Sequence, residues 1–119
     1  MKKISVVILN WNGAEMLRKF LPSVIEYSIS DQVEVCVADN GSTDNSVAVI
    51  TDEFPQVRLI QLDKNYGFAD GYNMALKHVE AEYVVLLNSD LEVTDSWLDA
   101  MSCYLDKNKD VAACQPKIL

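Results

Sequence analysis

Apolar residues along the chain gather into short runs, at 4–9, 33–38, 57–62 and 83–87, with a shorter one at 111–114. The runs are nearly continuous in Val, Ile, Leu and Ala rather than alternating, the pattern of strands covered on both faces. Between them the apolar positions recur at three- and four-residue spacing, which predicts four helices. The first covers 14–27, with Leu17, Phe20, Leu21, Val24 and Ile25 on one face, and Pro22 is expected to kink or split it. The second opens near Asp44, its expected N-cap, turns Val47, Ile50 and Phe54 inward, and stops at Pro55. The third starts within 68–71, runs to about Val79 and buries Tyr72, Leu76 and Val79. The fourth begins near Asp95, a suitable N-cap, and aligns Trp97, Leu98, Met101 and Leu105. Strand and helix alternate throughout, and right-handed crossovers turn such a chain into an α/β fold. Its sheet is doubly wound and mostly parallel, with helices on both faces.

The polar residues at the end of each apolar run turn the picture from fold to site. The first run breaks into Asn10-Trp11-Asn12-Gly13 and the second into Asp39-Asn40-Gly41-Ser42-Thr43-Asp44. The third leads to Asn65-Tyr66-Gly67-Phe68-Ala69-Asp70-Gly71-Tyr72-Asn73, and the fourth ends in Asn88-Ser89-Asp90. In an open parallel sheet the loops after the strands gather along one edge, where ligands bind. The four clusters are therefore expected to share one polar, acidic, glycine-lined site, suited to a nucleotide held through a metal ion.

The 119 residues make one domain. A formal charge of −8 excludes a nucleic-acid binder, which needs a basic face to displace phosphate counterions, and offers no polybasic patch for anionic lipid. An acidic protein can still hold a diphosphate when a divalent cation bridges the two. Cys36, Cys103 and Cys114 form no C-x-x-C pair and read as small buried thiols in a reducing cytosol. The apolar run after Met1-Lys2-Lys3 is too short for a signal peptide, and no segment approaches membrane-spanning length.

Within the clusters, Asp39 has two readings. Its carboxylate can accept the imide N–H of uracil or thymine, or it can open an Asx-turn at Asp39-Asn40-Gly41. Asp90 is the candidate metal ligand, with Glu92 near enough to compete, since a hard cation takes one or two carboxylates beside phosphate and water. The alternative is a plain turn at a strand end. The 65–73 stretch leads from a strand into a helix start, where free N–H groups favour anions. Its glycines sit four apart without G-K-[ST], so neither the dinucleotide nor the P-loop fingerprint applies. His78, the single histidine, is expected to cap helix carbonyls, and no nucleophile–base set can be assembled around it.

Taken together and in order, the blocks 6–12, 37–44, 65–73 and 86–90 resemble the nucleotide-sugar-binding half of family 2 glycosyltransferases, the inverting GT-A type. The resemblance implies a Rossmann-like half in which Asn10, Trp11 and Asn12 line the base and Asp39 reads the pyrimidine. Asn65, Gly67, Phe68 and Asn73 join them in nucleotide binding. Asn88 and Ser89 lie in the DXD-like motif at the ribose, and Asp90 binds Mg²⁺ or Mn²⁺ at the diphosphate. Asn88 stands where the family often has the first Asp. The N-x-G-F-A and L-L-N-x-D forms look most like the rhamnosyltransferase-like branch, which builds bacterial surface polysaccharides from dTDP- or UDP-sugars.

The implied reaction is a single displacement with inversion at the anomeric carbon. The metal stabilises the leaving diphosphate while a carboxylate base deprotonates the acceptor hydroxyl. No residue matches that base, so the catalytic residues stay unassigned. The whole of 1–119 is expected to be the nucleotide-sugar-binding domain, with the half that holds a saccharide or lipid-linked saccharide acceptor beyond it. Self-association through apolar surface left by that half is expected. So is a cytoplasmic location, with a peripheral place at the inner face of the cell membrane open to the full-length protein. Three rivals fit the same outline. A receiver domain needs an acidic pair where Asn10 and Asn12 stand, and a sugar nucleotidyltransferase needs basic residues in that loop. A non-catalytic nucleotide-binding module needs only the crevice.

Overall fold

The computed structural model describes residues 2–88, 93, 96–109 and 111. Strands β1 (Lys2–Asn10), β2 (Val33–Asp39), β3 (Arg58–Gln61) and β4 (Ala81–Leu87) alternate with helices α1 (Ala14–Ser28), α2 (Ser46–Glu53), α3 (Phe68–Leu76) and α4 (Asp99–Lys107). The sheet order is β3-β2-β1-β4, and every pair is parallel. The chain steps outward from β1 to β3, then crosses back to lay β4 on the far side of β1. Strand order therefore reverses beside β1.

A right-handed crossover places α1 and α2 on one face of the sheet, and the reversal sends α3 to the other. The two cores respect this division. Leu17, Leu21 and Val24 of α1 and Val49 and Ile50 of α2 pack on Val6, Ile8, Val35 and Val37. Tyr72 and Ala75 of α3 pack on Val7, Cys36, Ala38 and Ile60. Each fully buried aliphatic side chain contributes about 1.5–3 kcal/mol, so register is firmly set on both faces.

Some expectations are corrected. Pro22 neither splits nor ends α1, which continues to Ser28. Pro22 faces solvent, where water can satisfy the Arg18 carbonyl that loses its partner, and the packed stripe on either side carries the helix through. In α2, Ile50 and Phe54 are buried as expected, but Val49 is buried in place of Val47, which is half-buried. In α3, Ala75 takes the buried position and Leu76 and Val79 are half-buried. β4 is not covered on both faces: Val84 is 41% and Leu86 53% exposed, because α3 lies over β1 and β2 instead. Cys36 is buried, which pushes its thiol pKa up, but Cys103 is exposed on α4. The expected fifth strand (beyond Val111), Cys114 and the cap Asp95 lie outside the described residues.

α4 is tied back by the Trp97 indole N–H, which donates to Ser28 Oγ at 2.8 Å. Asp106 adds a second tie, meeting Lys3 and the Tyr83 hydroxyl at 2.7 Å each. Among the described residues no helix is long and apolar enough to cross a membrane.

Candidate functional site

The loops after β1, β2 and β3 and the end of β4 meet at the C-terminal edge of the sheet, and side-chain amides and carboxylates stitch them together. Asn12 adopts a left-handed backbone, φ 51°, which Asn tolerates better than most residues. Its Oδ1 accepts the Thr43 and Asp44 N–H groups at 2.7 and 3.1 Å, and its own N–H donates to Ser42 Oγ at 2.9 Å. Asp44 answers in the other direction. Its Oδ2 accepts the Ala14 N–H at 3.3 Å, at the first turn of α1, and its Oδ1 accepts the Ser46 N–H at 2.9 Å. The cap position of α2 falls on Asn45, whose side chain makes no cap bond, so Asp44 supplies the capping oxygen from one residue earlier.

Burial opposes ionisation of Asp44, but the hydrogen bonds from Ser46 and Ala14 outweigh it and hold the carboxyl below its ordinary range. Its contribution is therefore present above the unfolded carboxylate pKa, near pH ~4, and is lost as pH falls through the lower folded value. Asp44→Ala should cost roughly 0.5–1 kcal/mol at neutral pH, the low end for a lost cap at an exposed site. The same substitution should flatten the fall of the melting temperature between about pH 5 and pH 2. An unchanged acid limb in thermal melts would remove Asp44 from the clasp.

Asp39 ends β2 and is 4% exposed. Its Oδ1 accepts Asn10 Nδ2 at 3.0 Å and Ser42 Oγ at 2.7 Å, and its Oδ2 accepts the Ser42 N–H at 3.0 Å. The turn that the sequence allowed is thus formed. A carboxylate has about four lone-pair directions, so the turn leaves acceptor capacity on Oδ2. Asn10 is 1% exposed, and its Oδ1 is buried without a hydrogen-bond partner. That oxygen faces Gly13, where a Cβ would come within 2.5 Å of it.

The second and third loops meet at Gly41 and Asn40. Asn40 Nδ2 donates to Asn65 Oδ1 at 3.2 Å and to the Gly67 carbonyl at 3.0 Å, while its Oδ1 accepts the Tyr66 N–H at 2.9 Å. Gly41 has φ +77°, and a Cβ there would lie 2.7 Å from the backbone of both Lys64 and Asn65.

Between these loops, beside the strand-order reversal, lies a cleft of 550 Å³ lined by Leu9, Trp11, Met16, Asn40, Asn65, Gly67, Phe68, Tyr72 and Asn88. Trp11 and Phe68 stand at its rim, 55% and 68% exposed. Of the residues singled out in the sequence, Trp11, Asn65, Gly67, Phe68 and Asn88 line the cleft, and Asn10, Asn12 and Asp39 brace the loops behind it. Asn73 is exposed on α3 and is not part of the lining. Ser89, Asp90 and Glu92 lie outside the described residues. Leu9 and Met16 were passed over in the sequence, and Asn40 and Tyr72, though inside the clusters expected to form the site, were given no binding role. Asn40 carried a signal, as the middle residue of an Asp-Asn-Gly turn, but its cross-loop bonds depend on a loop distant in sequence.

A second cleft, 640 Å³, opens at the opposite end of the strands among Lys2, Asp31, Glu34, Arg58, Lys77, His78 and Glu80. It is the larger of the two, but it lies away from the four loop clusters. Arg58 meets Glu34 at 3.6 Å and donates to the His78 carbonyl. His78 lies beyond the end of α3 and contributes that backbone carbonyl, not the expected ring cap.

An open parallel sheet with an aromatic-rimmed crevice at its strand-order reversal defines an α/β protein of the class in which ligands bind outside the carboxyl ends of the strands. The sequence places it more narrowly: residues 5–118 match the Glycosyl transferase family 2 family, and the chain belongs to that family. This membership sets aside the receiver and nucleotidyltransferase alternatives.

The chain is 38% identical over 112 residues to the poly(ribitol-phosphate) beta-N-acetylglucosaminyltransferase TarP of Staphylococcus aureus, covering 91% of this chain and 34% of that protein. It is 31% identical over 111 residues to the teichoic acid poly(glycerol phosphate) polymerase of Staphylococcus epidermidis, covering 90% of this chain and 15% of that one. The crystal structure of S. aureus TarS 1-349 in complex with UDP-GlcNAc superposes with a TM-score of 0.78 at 25% identity, over 90% of this chain and 32% of that one. The chain thus spans about a third or less of the length of these relatives.

Proposed function

We propose that this chain forms the donor-nucleotide site of a glycosyltransferase that moves a sugar from a UDP- or dTDP-sugar to a hydroxyl of a saccharide or lipid-linked saccharide acceptor, in the synthesis of a bacterial surface polymer. The observation that carries the reading is the crevice itself, in a family 2 chain and at the strand-order reversal, with a structural neighbour described in complex with UDP-GlcNAc. Wall-polymer enzymes among the relatives support the surface-polymer setting. The N-x-G-F-A and L-L-N-x-D forms support the narrower rhamnosyltransferase-like branch.

In this reading Trp11 stacks on the base, while Asn10 and Asn12 fix the loop that carries it. The free acceptor direction of Asp39 takes the pyrimidine imide N–H. Asn65, Gly67 and Phe68 wall the crevice on the α3 side, with Asn73 one turn further along that helix. Asn88 and Ser89 would contact the ribose, and Asp90 would ligate the metal.

The described lining of the crevice carries no Lys or Arg and offers neutral amide oxygens beside apolar rings. A diphosphate in such a place fits an added hard cation, Mg²⁺ or Mn²⁺, for which Asp90 would supply a carboxylate. When bound, that ion would stabilise charge developing on the leaving diphosphate. The protein's own part is to orient the nucleotide and to keep the sugar at the mouth of the crevice. The acceptor and the base that deprotonates it belong to a further part of the full protein, consistent with the small share of each relative that this chain spans. A peripheral position at the inner membrane face completes the proposal.

Calorimetric titration with UDP, dTDP, GDP and the nucleoside uridine, with and without Mn²⁺, tests it. Pyrimidine diphosphates should bind more tightly than GDP, and only the diphosphates should gain from metal. Asp90→Ala should abolish that gain. Metal dependence retained in Asp90→Ala would move the ligand role to another carboxylate, and equal binding of GDP would refute pyrimidine reading.

A further inference from the structure

Asn10 ends β1 directly beside Asp39, its register partner at the end of β2. Both are buried, at 1% and 4% exposure. Three groups among the described residues meet the Asp39 carboxylate, and all three donate to it. They are Asn10 Nδ2 at 3.0 Å, the Ser42 hydroxyl at 2.7 Å and the Ser42 N–H at 3.0 Å. A hydroxyl has a single hydrogen to give, and the acceptor side of Ser42 Oγ takes the Asn12 N–H at 2.9 Å. Asp39 is thus presented as an acceptor alone.

Asn10 serves this arrangement with its own oxygen left over. Its Oδ1 is buried and has no hydrogen-bond partner among the described residues. A buried polar atom without a partner costs about 1–3 kcal/mol. Turning the amide over would bring no relief, because it would set Oδ1 against the Asp39 carboxylate, oxygen to oxygen. The carboxylate therefore fixes which way the amide points. Gly13 leaves room for that orientation. Its φ of −109° lies outside the left-handed region, so conformation alone does not call for glycine. Space does: a Cβ at Gly13 would lie 2.5 Å from Asn10 Oδ1.

We propose that Asn10, seated against Gly13, sets the choice of base: its amide keeps Asp39 an acceptor, so that the site takes uracil or thymine and rejects cytosine. The inference deepens the proposed nucleotide site and rests on Asp39 meeting the base there. Uracil and thymine carry a hydrogen on N3, where cytosine has a bare lone pair. A carboxylate that only accepts attracts the first and repels the second. A shared proton would blur that distinction. At the 3.0 Å that separates the two side chains, a pair of carboxylates cannot both ionise and would share one proton. The neutral amide of Asn10 donates and takes no proton, which keeps the distinction sharp. Asn10 acts through Asp39 and is a positioning residue.

Calorimetry with UDP and CDP, each with Mn²⁺, on wild type, Asn10→Asp and Gly13→Ala tests the proposal, and thermal melts establish that each variant is folded. Wild type should prefer UDP about 10–100-fold, the size of one matched against one opposed hydrogen bond at a buried charged group. Asn10→Asp should bring the two within about threefold, well under the effect of one such bond, with CDP gaining and UDP losing. Gly13→Ala keeps both side chains and displaces the amide, since a side-chain tip yields before backbone does. It should lower the preference by about threefold or more, and it decides the matter if Asn10→Asp does not fold. A residue that only supported the turn would weaken UDP and CDP alike. An unchanged preference in either folded variant would therefore overturn the inference. Equal binding of UDP and CDP by wild type would instead refute imide reading by Asp39, the reading on which the inference rests.

Discussion

Asp39→Ala should weaken UDP binding by roughly 1–3 kcal/mol, the cost of a lost charge-assisted hydrogen bond together with the buried donors it leaves unpaired. The substitution removes the acceptor offered to the imide N–H and also strips partners from Asn10 Nδ2 and from the Ser42 amide and hydroxyl. Affinity and stability should therefore fall together. Calorimetry paired with thermal melts separates the two contributions. A lower melting temperature with unchanged UDP affinity would assign Asp39 wholly to the turn, and the pyrimidine would have to be recognised elsewhere.

Gly41→Ala should be the most disruptive single substitution in the loops. A β-carbon at φ +77° costs roughly 1–2 kcal/mol of backbone strain. Crowding against the Lys64 and Asn65 backbone at 2.7 Å adds about 1–3 kcal/mol, because backbone cannot swing aside as a flexible side chain would. Denaturant unfolding should register the sum, and nucleotide affinity should fall with it as Asn40 loses its grip on the third loop. A loss under ~0.5 kcal/mol, the level of an ordinary surface substitution, would mean that the two loops part easily and that the crevice wall is not fixed by their contact.

Much of this was legible in the chain. The strands are visible because residues buried on both faces, such as 4–9 and 33–38, leave little room for polar positions. The site edge is visible because each of the first four apolar runs leads into Asn, Asp and Gly. The features that escaped depend on neighbours distant in sequence. Pro22 reads as a helix breaker until its solvent-facing position is known. Val84 and Leu86 read as core because nothing local says that α3 lies over β1 and β2. Asp39 reads as either a turn or a ligand contact, and the geometry shows the turn formed with acceptor capacity to spare. Tyr72 reads as one more apolar position on α3. Only the fold reveals that its hydroxyl reaches the Leu9 N–H and the Leu87 carbonyl at the end of the β1–β4 pairing.

The central claim is that a pyrimidine nucleotide binds in the cleft beside the strand-order reversal. Backbone and indole ¹⁵N–¹H shifts recorded through a UDP titration in the presence of Mg²⁺ test it most directly. The account predicts that the Trp11 indole and the amides of Asn40, Gly67, Phe68 and Asn88 move in a saturable way, while those of Arg58, Lys77 and His78 stay still. Saturable shifts clustered at Arg58, Lys77 and His78, with the Trp11 indole unmoved, would place the nucleotide at the opposite end of the strands and contradict it.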